Sequence, residues 1–166
     1  TTDMILVENG QIVETVGSSN DLFAGQAVDR LGVKLGFPFP AGIYVSQQAE
    51  KCNETIKPKV SVKGLDCNLS GLQNQCEKLI DSGATMEYVC KYCLSFIART
   101  LIKMADNARE IYGSLPIVFV GGVMSSDTIK DIVKNTMKDV FFVDPVFSSD
   151  NAIGTAAVAA RKVLYG

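Results

Sequence analysis

"IVFVGGVMSSDTIKDIV", residues 117–133, joins two kinds of pattern across a pair of glycines. Ile117 to Val120 is an uninterrupted apolar run, as expected of a buried strand, and Ile129, Ile132, Val133 and Met137 fall on one face of a helix. Two explanations stand for Gly121 and Gly122 between them. The backbone turns tightly there, or it is left bare so that a ligand can approach without meeting a Cβ. Ligands of open α/β sheets bind beyond the carboxyl ends of the strands, and a helix start capped by Ser126 or Asp127 would offer free amides. On the dipeptide alone, the tight turn without a ligand is the better reading.

On the C-terminal side, "VFFV" (140–143) reads as a second short strand, and "DPVFSSDN" leads into an Ala-rich helix at about Ala152–Leu164. On the N-terminal side the longest helix runs from about Thr85 to Tyr112. Its stripe is Met86, Val89, Cys93, Ile97, Leu101, Met104, Ala108 and Ile111, in steps of three and four, with charged residues on the solvated face. "SGLQNQCEKLIDSG" is a shorter helix stopped at Gly83, and residues 58–69 alternate weakly, as irregular strand. In "FPFPAG", Pro38 and Pro40 push the residues before them toward extended geometry. They separate a helix at about Ile43–Cys52 from one that carries Phe23, Ala27, Val28, Leu31 and Leu35 and stops at Gly36. Residues 3–17, "DMILVENGQIVETVG", form a hairpin around Asn9–Gly10. The order predicts an α/β lobe: a mixed sheet with an N-terminal hairpin, helices packed on its faces, and strand 117–120 central. No repeat or linker divides the chain, so residues 1–166 read as a single lobe. Met4 already lies in a strand-like run, which predicts a longer parent protein.

The bulk numbers are those of an ordinary domain: 166 residues, 47% hydrophobic and a net charge of −2. They argue against a broad basic field for nucleic acid. No apolar stretch approaches the roughly 20 residues needed to cross a bilayer, and no signal peptide opens the chain. Five cysteines (Cys52, Cys67, Cys76, Cys90 and Cys93), odd in number and irregularly spaced, read as reduced thiols of a cytoplasmic protein. Cys90 and Cys93 have CxxC spacing, but Cys93 falls on the apolar stripe and no second CxxC accompanies it. Buried small hydrophobes are the better reading. The chain has no histidine, which excludes histidine triads, histidine general bases and imidazole-based zinc sites built from these residues alone. Asp150, within "SSDNA", is either an N-cap of the last helix or a carboxylate for a metal or phosphate.

In order, the chain carries "GQAVDR", "LGFPFPAG", "LSGLQ", "VFVGGVMSS" and "FSSDNAIGTAA". This series resembles the C-terminal half of the tRNA threonylcarbamoyladenosine synthesis enzymes, also called glycoproteases or O-sialoglycoprotein endopeptidases, of the actin, sugar-kinase and Hsp70 ATPase superfamily. The resemblance runs over essentially the whole chain and implies an actin-like (ribonuclease H-like) C-terminal lobe of a two-lobe protein. Asp29, closing the segment similar to the family's "GEAFD", stands where the family contacts its nucleotide-derived substrate. Gly42, in "PAG" for the family's "PGG", takes a ligand-contacting position. Gly121, Gly122 and Ser126 stand for the adenosine-proximal "GGVAAN", with serine in place of the asparagine, and Asp150 matches the metal-binding aspartate of "CTDN". "TTDMILV" parallels the family's "HTELLLV", which puts Thr1 at the end of a phosphate-contacting loop whose glycines lie upstream. Two further departures are Ser46, where the family is acidic, and Gln73, where it has the lysine of "SGLK".

Each lost charge-assisted contact would cost about 1.5–3 kcal/mol, roughly ten- to a hundred-fold in affinity, as in a divergent paralogue. The resemblance implies ATP or an adenylate and a divalent metal (iron, zinc or magnesium) held between two lobes of the parent. The implied activity is transfer of a threonylcarbamoyl group to a tRNA adenosine; the alternative is a catalytically degenerate paralogue acting as a scaffold. Implied partners are the missing N-terminal lobe, a paralogous subunit or a second copy, and tRNA, with no membrane. Lacking one lobe, the chain alone is expected to show no turnover. Peptidase activity is not expected, since the residues offer no nucleophile–base pair.

Overall fold

The computed structural model describes residues 1–147, so Asp150 and the helix expected at about Ala152–Leu164 lie outside the described residues. The elements run β1 (Asp3–Glu8), β2 (Gln11–Ser18), α1 (Ala24–Lys34), α2 (Gly42–Glu50), β3 (Val62–Lys63), β4 (Asp66–Cys67), α3 (Ser70–Asp81), α4 (Met86–Tyr112), β5 (Ile117–Phe119), α5 (Asp127–Thr136) and β6 (Val140–Phe142). Two 3-10 turns, Gly122–Ser125 and Pro145–Phe147, complete the described chain. The class is mixed α/β, as the order of apolar patterns predicted.

Local signals place most boundaries. Asn9 and Gly10 both take positive φ, 52° and 74°, the twist that a two-residue hairpin turn needs. The β1–β2 ladder is antiparallel and carries two bulges, whose extra residues, Val16 and Val13, both lie on β2. Thr85 starts α4 by accepting the Tyr88 amide on its hydroxyl at 3.3 Å. α1, α3 and α4 stop at Gly36, Gly83 and Gly113, all in left-handed backbone.

Two expectations are corrected. Strand 117–120 was expected to be central in one mixed sheet. Among the described residues the strands instead form three two-stranded sheets, β1–β2, β3–β4 and β5–β6, and β5 has β6 alone, in parallel, beside it. Val118 and Val120 are accordingly 57% and 58% exposed rather than buried. The apolar run is a strand, but no described strand lies on its other side. The second correction concerns α4, which was read as having one solvated face. Val89, Cys90, Cys93, Leu94, Phe96, Ile97 and Ala98 are all buried, so the helix is enclosed around its middle. The run Cys93–Ala98 fills faces that a single stripe leaves open, and α2, α3 and α5 pack around it. The core therefore centres on a helix. Ile111, at the expected end of the stripe, is 61% exposed.

Close approach fixes α1 against α2. A Cβ on Gly32 would overlap the Cβ of Ala41 and crowd Val45, both fully buried. The contact sets the position of the loop between the two helices, and with it Gly42.

Candidate functional site

A cleft of about 1,730 Å³ opens between β1, the N-terminal ends of α1 and α2, the C-terminal half of α4, and the segment from β5 into α5. Asp29, Gly42, Gly121, Gly122 and Ser126, expected separately from the sequence, all line it, as do Thr1 and Ser46. Gln73 does not. It sits on α3, between the Arg30 guanidinium and the Glu77 carboxylate, each 3.4 Å away. Asp150 lies outside the described residues.

The turn after β5 explains its glycines in part. Gly121 has φ 114° and ψ 162°, a conformation that side-chain-bearing residues rarely adopt. A Cβ on Gly121 or Gly122 would meet nothing within 4 Å, so the backbone there borders open space. The chain then makes one 3-10 turn, and Ser126 takes the N-cap position of α5, as expected of its type. Its hydroxyl does not do the capping. Ser126 is 6% exposed and its Oγ has no hydrogen-bond partner, while the neighbouring Thr128 hydroxyl is also buried and unpartnered. Buried polar atoms normally find partners, so an orphaned hydroxyl beside a helix N-terminus, on the wall of a cleft, is suited to a ligand atom.

The opposite wall is held by carboxylates and hydroxyls that accept amides. Asp29 Oδ1 accepts the Ala41 amide at 2.8 Å, so this carboxylate pins the loop before Gly42 as well as facing the cleft. Thr2 Oγ1 accepts the Ala24 amide at 2.8 Å at the start of α1, and the Thr2 carbonyl accepts from Ser19 N at 2.9 Å. Asp21 ties the same region to α3. Its carboxylate accepts from the amides of Leu22 (2.6 Å), Leu69 (2.7 Å) and Ser70 (3.1 Å) and from the Ser70 hydroxyl (2.5 Å). Burial alone would raise the Asp21 pKa, but these donors, Ser70 Oγ foremost, outweigh it and hold the carboxyl below 3.8. Sequence reasoning missed Thr2 and Asp21. "SSND" before α1 has N-cap composition, which could have drawn attention to Asp21, but its partners at the start of α3, Leu69 and Ser70, are 48 and 49 residues away.

Charge and metal capacity limit what this wall can hold. Asp3, Asp29, Glu50 and Asp127 line the cleft, against Arg109, whose guanidinium donates to the carbonyls of Lys138 (2.6 Å) and Asp139 (3.4 Å). Among the described residues, no three His, Cys, Asp or Glu side chains come together to hold a metal ion. The described wall alone therefore does not fit a metal. The five thiols are free and buried. Burial pushes Cys90 up to about 12, and the Cys76 thiol, donating to or accepting from Cys93, joins burial in raising Cys93 well above 9.0. Thiols held neutral in this way are poor nucleophiles and poor ligands, in line with the sequence reading of Cys90 and Cys93 as packing residues.

Comparison with known proteins agrees with the motif order. The family model for tRNA N6-adenosine threonylcarbamoyltransferase matches residues 1–157, and the chain belongs to that family. A probable bifunctional tRNA threonylcarbamoyladenosine biosynthesis protein of Methanococcus maripaludis is 27% identical over 98% of this chain and 31% of its own length. The tRNA N6-adenosine threonylcarbamoyltransferases of Neorickettsia sennetsu and Thermococcus gammatolerans are 30% and 27% identical, over 91% and 99% of this chain and 50% and 52% of their own lengths. The chain thus spans about a third to a half of these relatives. No helix among the described residues is long and apolar enough to cross a membrane.

Proposed function

We propose that this chain is the actin-like C-terminal lobe of a two-lobe threonylcarbamoyltransferase, and that it supplies the wall against which the nucleoside end of an adenylate lies. The observation that carries this is the buried, unpartnered Ser126 hydroxyl beside the bare backbone of Gly121–Gly122, in a cleft shared with Asp29 and Gly42. An uncharged nucleoside suits this wall better than phosphate does, because its lining is largely apolar and its charged side chains, Arg109 apart, are acidic. Phosphate and the divalent metal would then be held by the other lobe, with Asp150 as this chain's contribution to the metal. When bound, the metal would neutralise phosphate or polarise a carbonyl. This chain's own part is to orient the base and ribose through the Ser126 hydroxyl, the α5 amides and Asp29, and to exclude water from that end of the cleft. The acceptor is a tRNA adenosine, and the N-terminal lobe completes the site.

Calorimetry of the longer parent protein with ATP and Mg²⁺ tests the proposal, and no heat of binding at millimolar nucleotide would sink it. Asp150→Ala is expected to lower the parent's metal content; unchanged content would leave Asp150 a helix cap. A second reading, a degenerate scaffold subunit, draws on Ser46, which presents a hydroxyl to the cleft where the family is acidic. Intact folding and partner binding with no nucleotide affinity would favour it.

A further inference from the structure

The corner between α1 and α2 carries an apolar surface that the adenylate wall leaves unused. Phe39 is 75% exposed, the most exposed aromatic side chain among the described residues, and Val33, Ile43 and Tyr44, before and after it, are 53%, 63% and 38% exposed. The backbone that carries this ring is fixed at both ends. Phe37 N donates to Gly32 O at 2.9 Å, and the Ala41 amide donates to Asp29 Oδ1 at 2.8 Å, with Ala41 itself fully buried. Pro38 and Pro40, flanking Phe39, restrict φ further. The Phe37 and Tyr44 rings stack on each other, centroids 5.8 Å apart, and tie the loop to α2. An apolar patch of this kind marks an interaction site, and a ring already held still gives up little entropy when something flat settles on it. The patch is continuous with the cleft, because Pro40 and Ile43 also line the cleft.

We propose that Phe39 is a stacking platform for an unpaired base of the RNA acceptor, the nucleotide next to the adenosine that enters the cleft, with Arg30 on an adjoining phosphate. This rests on the tRNA adenosine reading of the cleft. The acceptor nitrogen, N6, lies on the edge that adenine uses for pairing, so the acceptor has to be unpaired, and its neighbours are then free to splay out onto side chains. Charge selects how the strand lies. Asp3, Asp29, Glu50 and Asp127 line the cleft and repel phosphate, so a base crosses the rim while the backbone stays outside. Outside, on α1, Arg30 is exposed one turn before Val33. Its guanidinium has the neutral Gln73 side chain at 3.4 Å and no carboxylate partner among the described residues, which leaves its charge to a phosphate. A net charge of −2 is no obstacle, since a base stacks through its uncharged face.

Binding of an RNA stem–loop with one loop adenosine to the longer parent protein provides the test, beside calorimetry with ATP. Phe39→Ala is expected to weaken stem–loop binding about ten-fold or more, and to leave both ATP binding and the affinity for a fully paired RNA duplex unchanged. Phe39→Trp should restore the stem–loop affinity. An abasic nucleotide on one side of the loop adenosine should cost the wild type a similar factor and cost Phe39→Ala nothing further. Arg30→Gln should lower the slope of log affinity against log salt by about 0.7. Unchanged stem–loop affinity in Phe39→Ala, equal losses for stem–loop and duplex, additive losses with an abasic nucleotide on either side, or an unchanged salt slope in Arg30→Gln overturns the proposal. So does self-association that depends on Phe39 while RNA affinity does not, which would assign the patch to a second copy. A parent that binds no RNA sinks the acceptor assignment and the platform with it. Phe39-dependent RNA binding without ATP binding sinks the adenylate wall and leaves the platform standing.

Discussion

Ser126 is a residue whose removal should separate stability from binding. Because its hydroxyl has no partner in the protein, Ser126→Ala is expected to be neutral or to stabilise by about 1 kcal/mol in urea denaturation. A loss of more than about 2 kcal/mol would reveal an internal hydrogen bond and remove the case for a ligand contact. In the parent protein the same change should weaken adenylate binding. Asp21→Asn works the other way. The carboxylate accepts from three amides and the Ser70 hydroxyl, with the Ser19 hydroxyl at 3.5 Å, but sits largely in solvent, so after screening the loss at neutral pH is expected to be about 1 kcal/mol. The folded-state pKa lies below the unfolded value, so this contribution is complete above pH 3.8 and disappears as pH falls through the folded pKa. Denaturant midpoints measured from pH 5 downward should show a shallower acid decline in Asp21→Asn; parallel curves would contradict the assignment. Gly32→Ala should cost about 1–3 kcal/mol, because the added methyl has to displace Ala41 or Val45 from a filled core.

At the level of elements, helices were legible and sheet partners were not. Helix periodicity and the stops at Gly36 and Gly83 are local, and each placed a boundary within a residue or two. Ile117–Val120 announced a strand equally well, but a strand's neighbours are set by residues far away in sequence. The apolar run could not say that its second edge would stay open among the described residues. In the cleft, Asp29, Gly42 and Gly121–Ser126 were legible through motif order. That Asp29 also holds Ala41, and that the Ser126 hydroxyl is left without a partner, are distances that no pattern encodes. The α3–α4 pair yields its own expectation. Cys76, Cys90 and Cys93 meet between these helices, and the stabilisation from burying Cys90 and Cys93 as neutral thiols is complete below about pH 9. It is lost as pH rises toward the folded value of about 12 at Cys90. Native protein should therefore resist thiol reagents at neutral pH and unfold on the alkaline side, with labelling appearing only as the near-UV signal collapses. Rapid labelling of folded protein would refute this packing.

For the whole molecule, the proposed two-lobe reading makes this chain one wall of a site. The chain alone is expected to bind ATP or adenosine more weakly than about 1 mM, a regime near −4 kcal/mol, and to show no transfer activity. Micromolar affinity in calorimetry would mean that this chain holds its ligand unaided, against the two-lobe proposal. The hydrogen bonds of Thr2 also have a mechanical consequence. Thr2 takes the first amide of α1, α1 carries Asp29, and Asp29 holds the loop that presents Gly42. Tension on the backbone entering at Thr1 is thus transmitted through three short linkages to the far side of the cleft. A hinge movement of whatever precedes Thr1 would shift that side as a lever does, with no need for the core around α4 to deform.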